Sequence, residues 1–219
     1  MCIQEIDANK VKFEALIRSI KREGADIEGL IKFLEEGDFY FAPNTSKKGK
    51  FNYDGGLCQH SLETFYTMWG MASSSLVCEK DKISIQDKEG WQESIKIVSL
   101  FHDFYKINFY DKYQKNVKYY HMNGSKIDDN GERYDWRTET TYRILEENER
   151  EIYGSNGLKS YFLISRFIPL TEEESVAIIN NSLDGCKDTY RELNSLFSSN
   201  KLLTYLHCAD VLSSFVEEI

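Results

Sequence analysis

The sequence predicts an all-α domain carrying one small β insertion, and three observations lead there. Apolar residues recur at helical spacing through most of the chain. Only two prolines, Pro43 and Pro169, interrupt its 219 residues, so long helices can run unbroken. One stretch departs from this pattern: Tyr, Lys and Val alternate over Val117–Met122, and the dipeptides Asn123-Gly124 and Asn130-Gly131 follow. Asn-Gly between alternating segments is the strongest short hairpin signal. The length suits a single domain, 1–219, with a sizeable core.

In chain order, a first helix is expected over 8–22, with Val11, Leu16, Ile17 and Ile20 inward and Gly24 as its stop. A second spans about 26–36, burying Ile27, Leu30, Ile31 and Leu34 and ending at Gly37, so that 1–38 form an N-terminal helical unit. An aromatic and basic loop runs from Asp38 to Gly56. Its closing Asp54-Gly55-Gly56 allows a tight turn and a close backbone approach. The next helix starts near Leu57, carries His60 in its first turns and continues towards Val77. A polar connector, 79–90, leads into a helix at 91–106. The insertion occupies 108–137, with its sheet at about 115–136 forming a meander of 116–122, 125–128 and 132–136. His121 lies on its first strand. Helices resume at 138–152 and 157–168. A Thr171-x-x-Glu174 capping box opens another at 172–182, ended by Asp184-Gly185. The last two cover 187–198 and 200–217.

Composition narrows the function classes. Apolar residues make up 41% and charged residues 29% with both signs mixed, as in an ordinary globular protein. A formal charge of −9 argues against extended duplex nucleic acid, which needs a basic face. Lys47, Lys48 and Lys50 cluster in one loop, either as a solvated segment or as a local basic pocket. Five cysteines, an odd number without C-x-x-C spacing, fit reduced thiols and a cytoplasmic setting. The N-terminal residues show no basic and apolar leader pattern, and no apolar stretch approaches the ~20 residues of a membrane span.

The chemistry-bearing stretch is Ile95–Lys106. Here an apolar run closes on His102-Asp103, and Lys106 follows three residues after the aspartate. On a helix Ile95, Val98, Ser99 and His102 share one face. Adjacent imidazole and carboxylate groups can reach one divalent cation, and they suit Mn, Fe, Co, Ni or Zn better than Ca. The same doublet also serves as the solvated end of a helix. The final helix sets Asp210 in an apolar run, where a carboxylate is costly unless paired or metal-bound. His60, His102 and His207 all fall on expected helices in apolar settings, with His60 the third contributor to a metal site beside the doublet and Asp210.

The order Gly55-Gly56-Leu57-x-x-His60-Ser61-Leu62, Phe101-His102-Asp103-x-x-Lys106 and Leu206-His207-x-Ala209-Asp210 resembles the HD-domain superfamily of metal-dependent phosphohydrolases. Phe41-Ala42-Pro43 with the Ser46-Lys47 loop, the run His102–Tyr110 and the run Leu170–Ile178 resemble a bacterial and phage-associated branch described only as HD hydrolases. The likeness covers about 9–217. It implies an all-helical HD core over 54–215 in which His60, His102, Asp103 and Asp210 hold one divalent metal (Mn, Fe, Co, Ni, Zn or Mg). It also places Lys106 beside the site. The chain departs from two-metal members at two positions. The turn Tyr153-Gly154-Ser155-Asn156-Gly157 has no histidine, and Asn181 stands where the second further histidine would be.

The function this implies is cleavage of a phosphomonoester or phosphodiester in a nucleotide or related small phosphate compound. Asp103 and Lys106 carry the chemistry. Lys47, Lys48, Lys50, Tyr53, Lys106 and Asn181 bind the substrate, with Phe51, Tyr53, Tyr105 and Tyr110 stacking on a base or packing. The alternative is a degenerate HD fold that binds a nucleotide signal or a protein partner without turnover. His121 is either a substitute ligand or cap over the site, or a strand residue facing solvent. His207 is either a partner of Asp210 or a core histidine on a carbonyl.

Overall fold

The computed structural model describes residues 1–47, 49–78, 85–146, 154–183 and 190–216, with backbone alone at 73–78, 85–87 and 190–192. Lys48, Tyr153, Asp184-Gly185 and residues 79–84 of the 79–90 connector lie outside the described residues. Among those described, the order is α1 (Ile3–Arg18), α2 (Ile27–Glu36), α3 (Gly56–Cys78), α4 (Ile85–Phe101), a 3-10 turn (Phe104–Lys106), β1 (Tyr110–Tyr120), β2 (Lys126–Ile127) and β3 (Arg133–Ile144). Helices α5 (Asn156–Ile164), α6 (Glu172–Asn180), α7 (Tyr190–Ser199) and α8 (Lys201–Phe215) follow.

The all-α expectation is corrected: the fold is mixed and helix-rich, with a three-stranded antiparallel sheet in the order β1-β3-β2. β1 and β3 pair over eleven positions, from Tyr110 opposite Ile144 to Tyr120 opposite Tyr134. β2 joins β3 only through Lys126 and Ile127, so β3 is central and the expected meander is not formed. Residues 138–144, expected to begin a helix, are strand. Thr138, Thr140, Thr141 and Tyr142 favour a pleated surface, and β1 supplies a partner for each. The Asn-Gly signals lie in the connections on either side of β2. A Cβ on Gly124 would lie 2.4 Å from the Tyr134 nitrogen, so the first turn needs a glycine for this close approach.

Helices α3, α4 and α8 surround a core completed by α1, α2, α5 and α6. Phe13, Phe39, Phe101 and Phe104 stack in its centre at 4.8–6.2 Å. Helix α1 turns Ile6, Phe13 and Ile17 inward; Ile20 is buried just beyond its end and Leu16 packs against the core as expected, whereas Val11, expected inward, is 69% exposed. Asp26 caps α2 through Gly29 N–H at 2.9 Å. The Thr171/Glu174 capping box opens α6, and Glu174 also receives a bidentate Arg22 guanidinium at 2.7 and 3.0 Å. No helix among the described residues is long and apolar enough to cross a membrane.

Candidate metal centre

His60 enters from the first turns of α3, and the preceding loop fixes it there. A Cβ on Gly56 would stand 2.2 Å from the Phe51 carbonyl oxygen, so this approach needs a glycine. Phe51 has φ 66°, a region bulky residues avoid. Its buried ring lies 5.2 Å from the His60 imidazole. Behind the imidazole, Nδ1 is 3.5 Å from Ser213 Oγ, which meets Thr64 Oγ1 at 2.9 Å.

His102 directly follows the last residue of α4. Its Nδ1 is 2.9 Å from the Ser99 carbonyl. A carbonyl only accepts, so Nδ1 carries the proton and Nε2 presents a lone pair. Asp103 opens the 3-10 turn, and Asp210 projects from α8.

These side chains converge. His60 Nε2 lies 3.3 Å from His102 Nε2, 3.4 Å from Asp103 Oδ2 and 3.1 Å from Asp210 Oδ1. His102 Nε2 lies 3.5 and 3.8 Å from the same two carboxylate oxygens. Ligands ~2.0–2.2 Å from a shared ion, at angles of about 90–120°, stand roughly 2.8–3.8 Å apart. His60, His102 and Asp210, mutually within 4.8 Å, could hold a metal ion. Asp103 Oδ2 meets the imidazoles at similar range, but the Lys106 ammonium also bonds it at 2.6 Å.

The charges match such a site. Burial opposes ionisation of Asp103, but Lys106 and the two imidazoles hold its carboxyl well below the usual range. Burial likewise opposes Asp210, yet the His102 and His60 imidazoles beside it hold its carboxyl low. His102 is pushed up, because Asp103 and Asp210 outweigh its burial. Two ionised carboxylates beside two imidazoles therefore attract a cation, whether a proton or a metal.

The other expected site residues divide. Lys106 is brought to the rim, where its ammonium also donates to Asn44 Oδ1 at 2.9 Å. Asn181 Nδ2 donates to Asp210 Oδ2 at 2.8 Å, and its buried Oδ1 has no hydrogen-bond partner among the described residues. Tyr110 donates to the Asn44 carbonyl at 3.0 Å. Lys47 is exposed, with no ion pair among the described residues. Lys50 pairs with Glu63 at 2.8 Å, and Tyr53 donates to Gln59 at 2.9 Å, so neither joins the cluster. Ser155 Oγ caps α5. Gly157 lies against Ile179, which puts the start of α5 beside the end of α6 that carries Asn181. His121 sits beyond the far end of β1, bonded to Asp135 at 2.8 Å, and neither caps nor joins the centre. His207 Nδ1 contacts the Asn181 carbonyl at 3.2 Å.

Thr64, Ser213 and Asn44 were missed in the sequence. Thr64 follows His60 by four residues and Ser213 follows Asp210 by three, so helical spacing could have found both. Nothing local marks Asn44. No protein-family model, curated protein or solved structure matches this chain.

Proposed function

We propose that this chain is a metal-dependent phosphohydrolase of the HD type, using one divalent ion on a nucleotide or similar small phosphate ester. The observation that carries the reading is the convergence of His60, His102, Asp103 and Asp210 at 3.1–3.8 Å. Three helices and a turn supply four groups of the right softness for Mn, Fe, Co, Ni or Zn, with Mg also accommodated by the carboxylates. When bound, the ion would acidify water and polarise a phosphoryl oxygen.

The chain's own groups then have distinct tasks. The Ser99 carbonyl fixes the His102 tautomer, and Asn181 holds one oxygen of Asp210 so that the other faces the imidazoles. In hydrolysis a water oxygen bonds to phosphorus while the ester P–O bond breaks. In this reading Asp103 would accept the water proton, and Lys106 would neutralise the phosphoryl group or protonate the departing oxygen. Asn181 donates to a carboxylate where an imidazole would ligate, which supports one ion and not two.

A second reading, binding without turnover, draws on Lys106 being engaged internally by Asp103 and Asn44. Metal content by elemental analysis, with phosphate release from a nucleotide panel in Mn, Co, Ni or Mg, tests both readings. One ion per chain is expected, with multiple turnover. Asp210→Asn should weaken metal binding by at least about a hundredfold and abolish turnover. Saturable nucleotide binding with the ligand recovered unchanged supports the binder; absence of any metal binding sinks the centre itself.

A further inference from the structure

Strands β1 and β3 form a two-stranded arm whose two faces differ in charge. Cross-strand partners share a face. One face is laced with opposite charges: Arg143 pairs with Asp111 at 2.7 Å, Lys115 stands opposite Glu139, and His121 bonds Asp135 at 2.8 Å. The other face carries Lys112, Lys118 and Lys126 among Tyr120, Tyr134 and Trp136. Its middle rungs are neutral, with Gln114 bonded to Thr140 and Asn116 to Thr138.

The cationic face is also aromatic. Lys118 lies 4.5 Å from the Tyr134 ring and Lys126 5.9 Å from the Trp136 ring. Neither ammonium forms an ion pair among the described residues. Asp128, at the tip, accepts from Tyr120 at 3.0 Å and feels the Lys118 charge. Tyr134 is buried beneath this layer, but Tyr120 is 46% exposed and Trp136 51%. A hairpin needs Tyr134 for its own packing; it does not need two further half-exposed rings flanked by cations.

At its base the same face meets the loop beside the metal centre. Lys112 and Tyr142 both bond Asp54, at 2.6 and 2.7 Å, and Tyr110 bonds the carbonyl of Asn44, whose side chain accepts from Lys106.

We propose that the aromatic and cationic face of the arm binds single-stranded nucleic acid, stacking bases on Trp136 and Tyr120 and placing phosphates on Lys118 and Lys126. Where the strand leads to the metal centre, this names the substrate class and rests on the phosphohydrolase reading; the binding does not. Aromatic rings accept any base with an open face, and flanking cations track the backbone. Paired bases offer no such face, so the surface selects single strands. The formal charge of −9 does not oppose this, because residues 110–144 hold seven Lys or Arg and six Asp or Glu, leaving the acidity in the body. Eleven strand residues extend ~37 Å, several times the ~8 Å screening length at physiological salt.

Fluorescence anisotropy with labelled 12-nucleotide single strands, DNA and RNA, in chelator tests this at 50–200 mM salt. Saturable binding is expected. Its log–log salt slope should lie near −1.4 for two phosphates neutralised, at about −0.7 each. The K118E/K126E protein should bind at least tenfold more weakly, with a shallower slope. K118Q/K126Q, which leaves the strand pairing intact, should also lose affinity and keep the wild-type melting temperature. Trp136→Ala should weaken binding without changing the slope. Absence of wild-type binding, indifference to both lysine pairs, or equal affinity for duplex would overturn the proposal. Because binding is read without metal, a chain that holds no ion can still pass, and one that turns over mononucleotides can still fail.

Discussion

Asp103 Oδ2 lies 2.6 Å from the Lys106 ammonium and 3.4 and 3.5 Å from two imidazole nitrogens. One oxygen thus faces a resident cation and the place where a second would sit. Removing the ammonium while keeping the side chain's bulk, as in Lys106→Met, leaves the carboxylate wholly to the ion. A unit charge roughly 4–5 Å from a divalent ion, at an effective dielectric of ~20, repels it by about 7–8 kcal/mol before relaxation. Metal affinity measured by titration calorimetry should therefore rise by about tenfold or more, while turnover falls. Weaker binding in Lys106→Met would instead show that the lysine holds Asp103 in place for the ion. The sequence marked these residues because their order resembles the HD pattern, and a buried acid at Asp210 demands a partner. It did not foresee the ion pair of Lys50 with Glu63, which lies thirteen residues away on another element. No local pattern encodes such a pairing.

Elements show the same division. Helix ends announced by local signals, such as Gly37 after α2 and the Thr171/Glu174 box, lie where the sequence placed them. The strand over 138–144 was less legible: a helix is expected there although Thr138, Thr140, Thr141 and Tyr142 favour a pleated surface, and its partner β1 lies roughly twenty to thirty residues away in the chain. Glu174 exceeds its capping role. It is fully buried, bonded by Arg22, Ser94 Oγ and Thr171 N–H, and so ties α6 to α4 and to the α1–α2 turn. Burial works against its charge, but Arg22 and these donors hold its pKa below the ordinary 4.5. A lowered folded-state pKa contributes stability in full above the unfolded value, and that contribution is lost as pH falls through the folded one. Glu174→Gln should lower the melting temperature at pH 7 by about 6–12 °C, from about 3 kcal/mol for a broken buried pair. It should also flatten the loss of stability between about pH 5 and pH 3. An unchanged acid slope in this variant would assign the acid sensitivity to other carboxylates.

At the scale of the molecule, the candidate metal centre belongs to the helical body and the arm is an appendage. The hydrophobic core contains no residue from 110–144, although Tyr134 and Tyr142 are buried within the arm and at its base. The arm touches the body near the centre through Tyr110, Lys112 and Tyr142, which bind Asn44 and Asp54. Gln114 stands opposite Thr140, so replacing 115–139 by Asn-Gly closes the ribbon with a two-residue turn suited to a hairpin. That shortened chain keeps every anchor named above and discards the rest of the arm. Its melting temperature should stay within about 4 °C of the full chain, corresponding to about 1 kcal/mol in a chain of this size. Its metal affinity should be unchanged and its single-strand binding lost. A larger fall in stability, or a weaker metal site, would mean that the outer arm braces the 44–54 loop. The arm would then be part of the scaffold and not a separate binding surface.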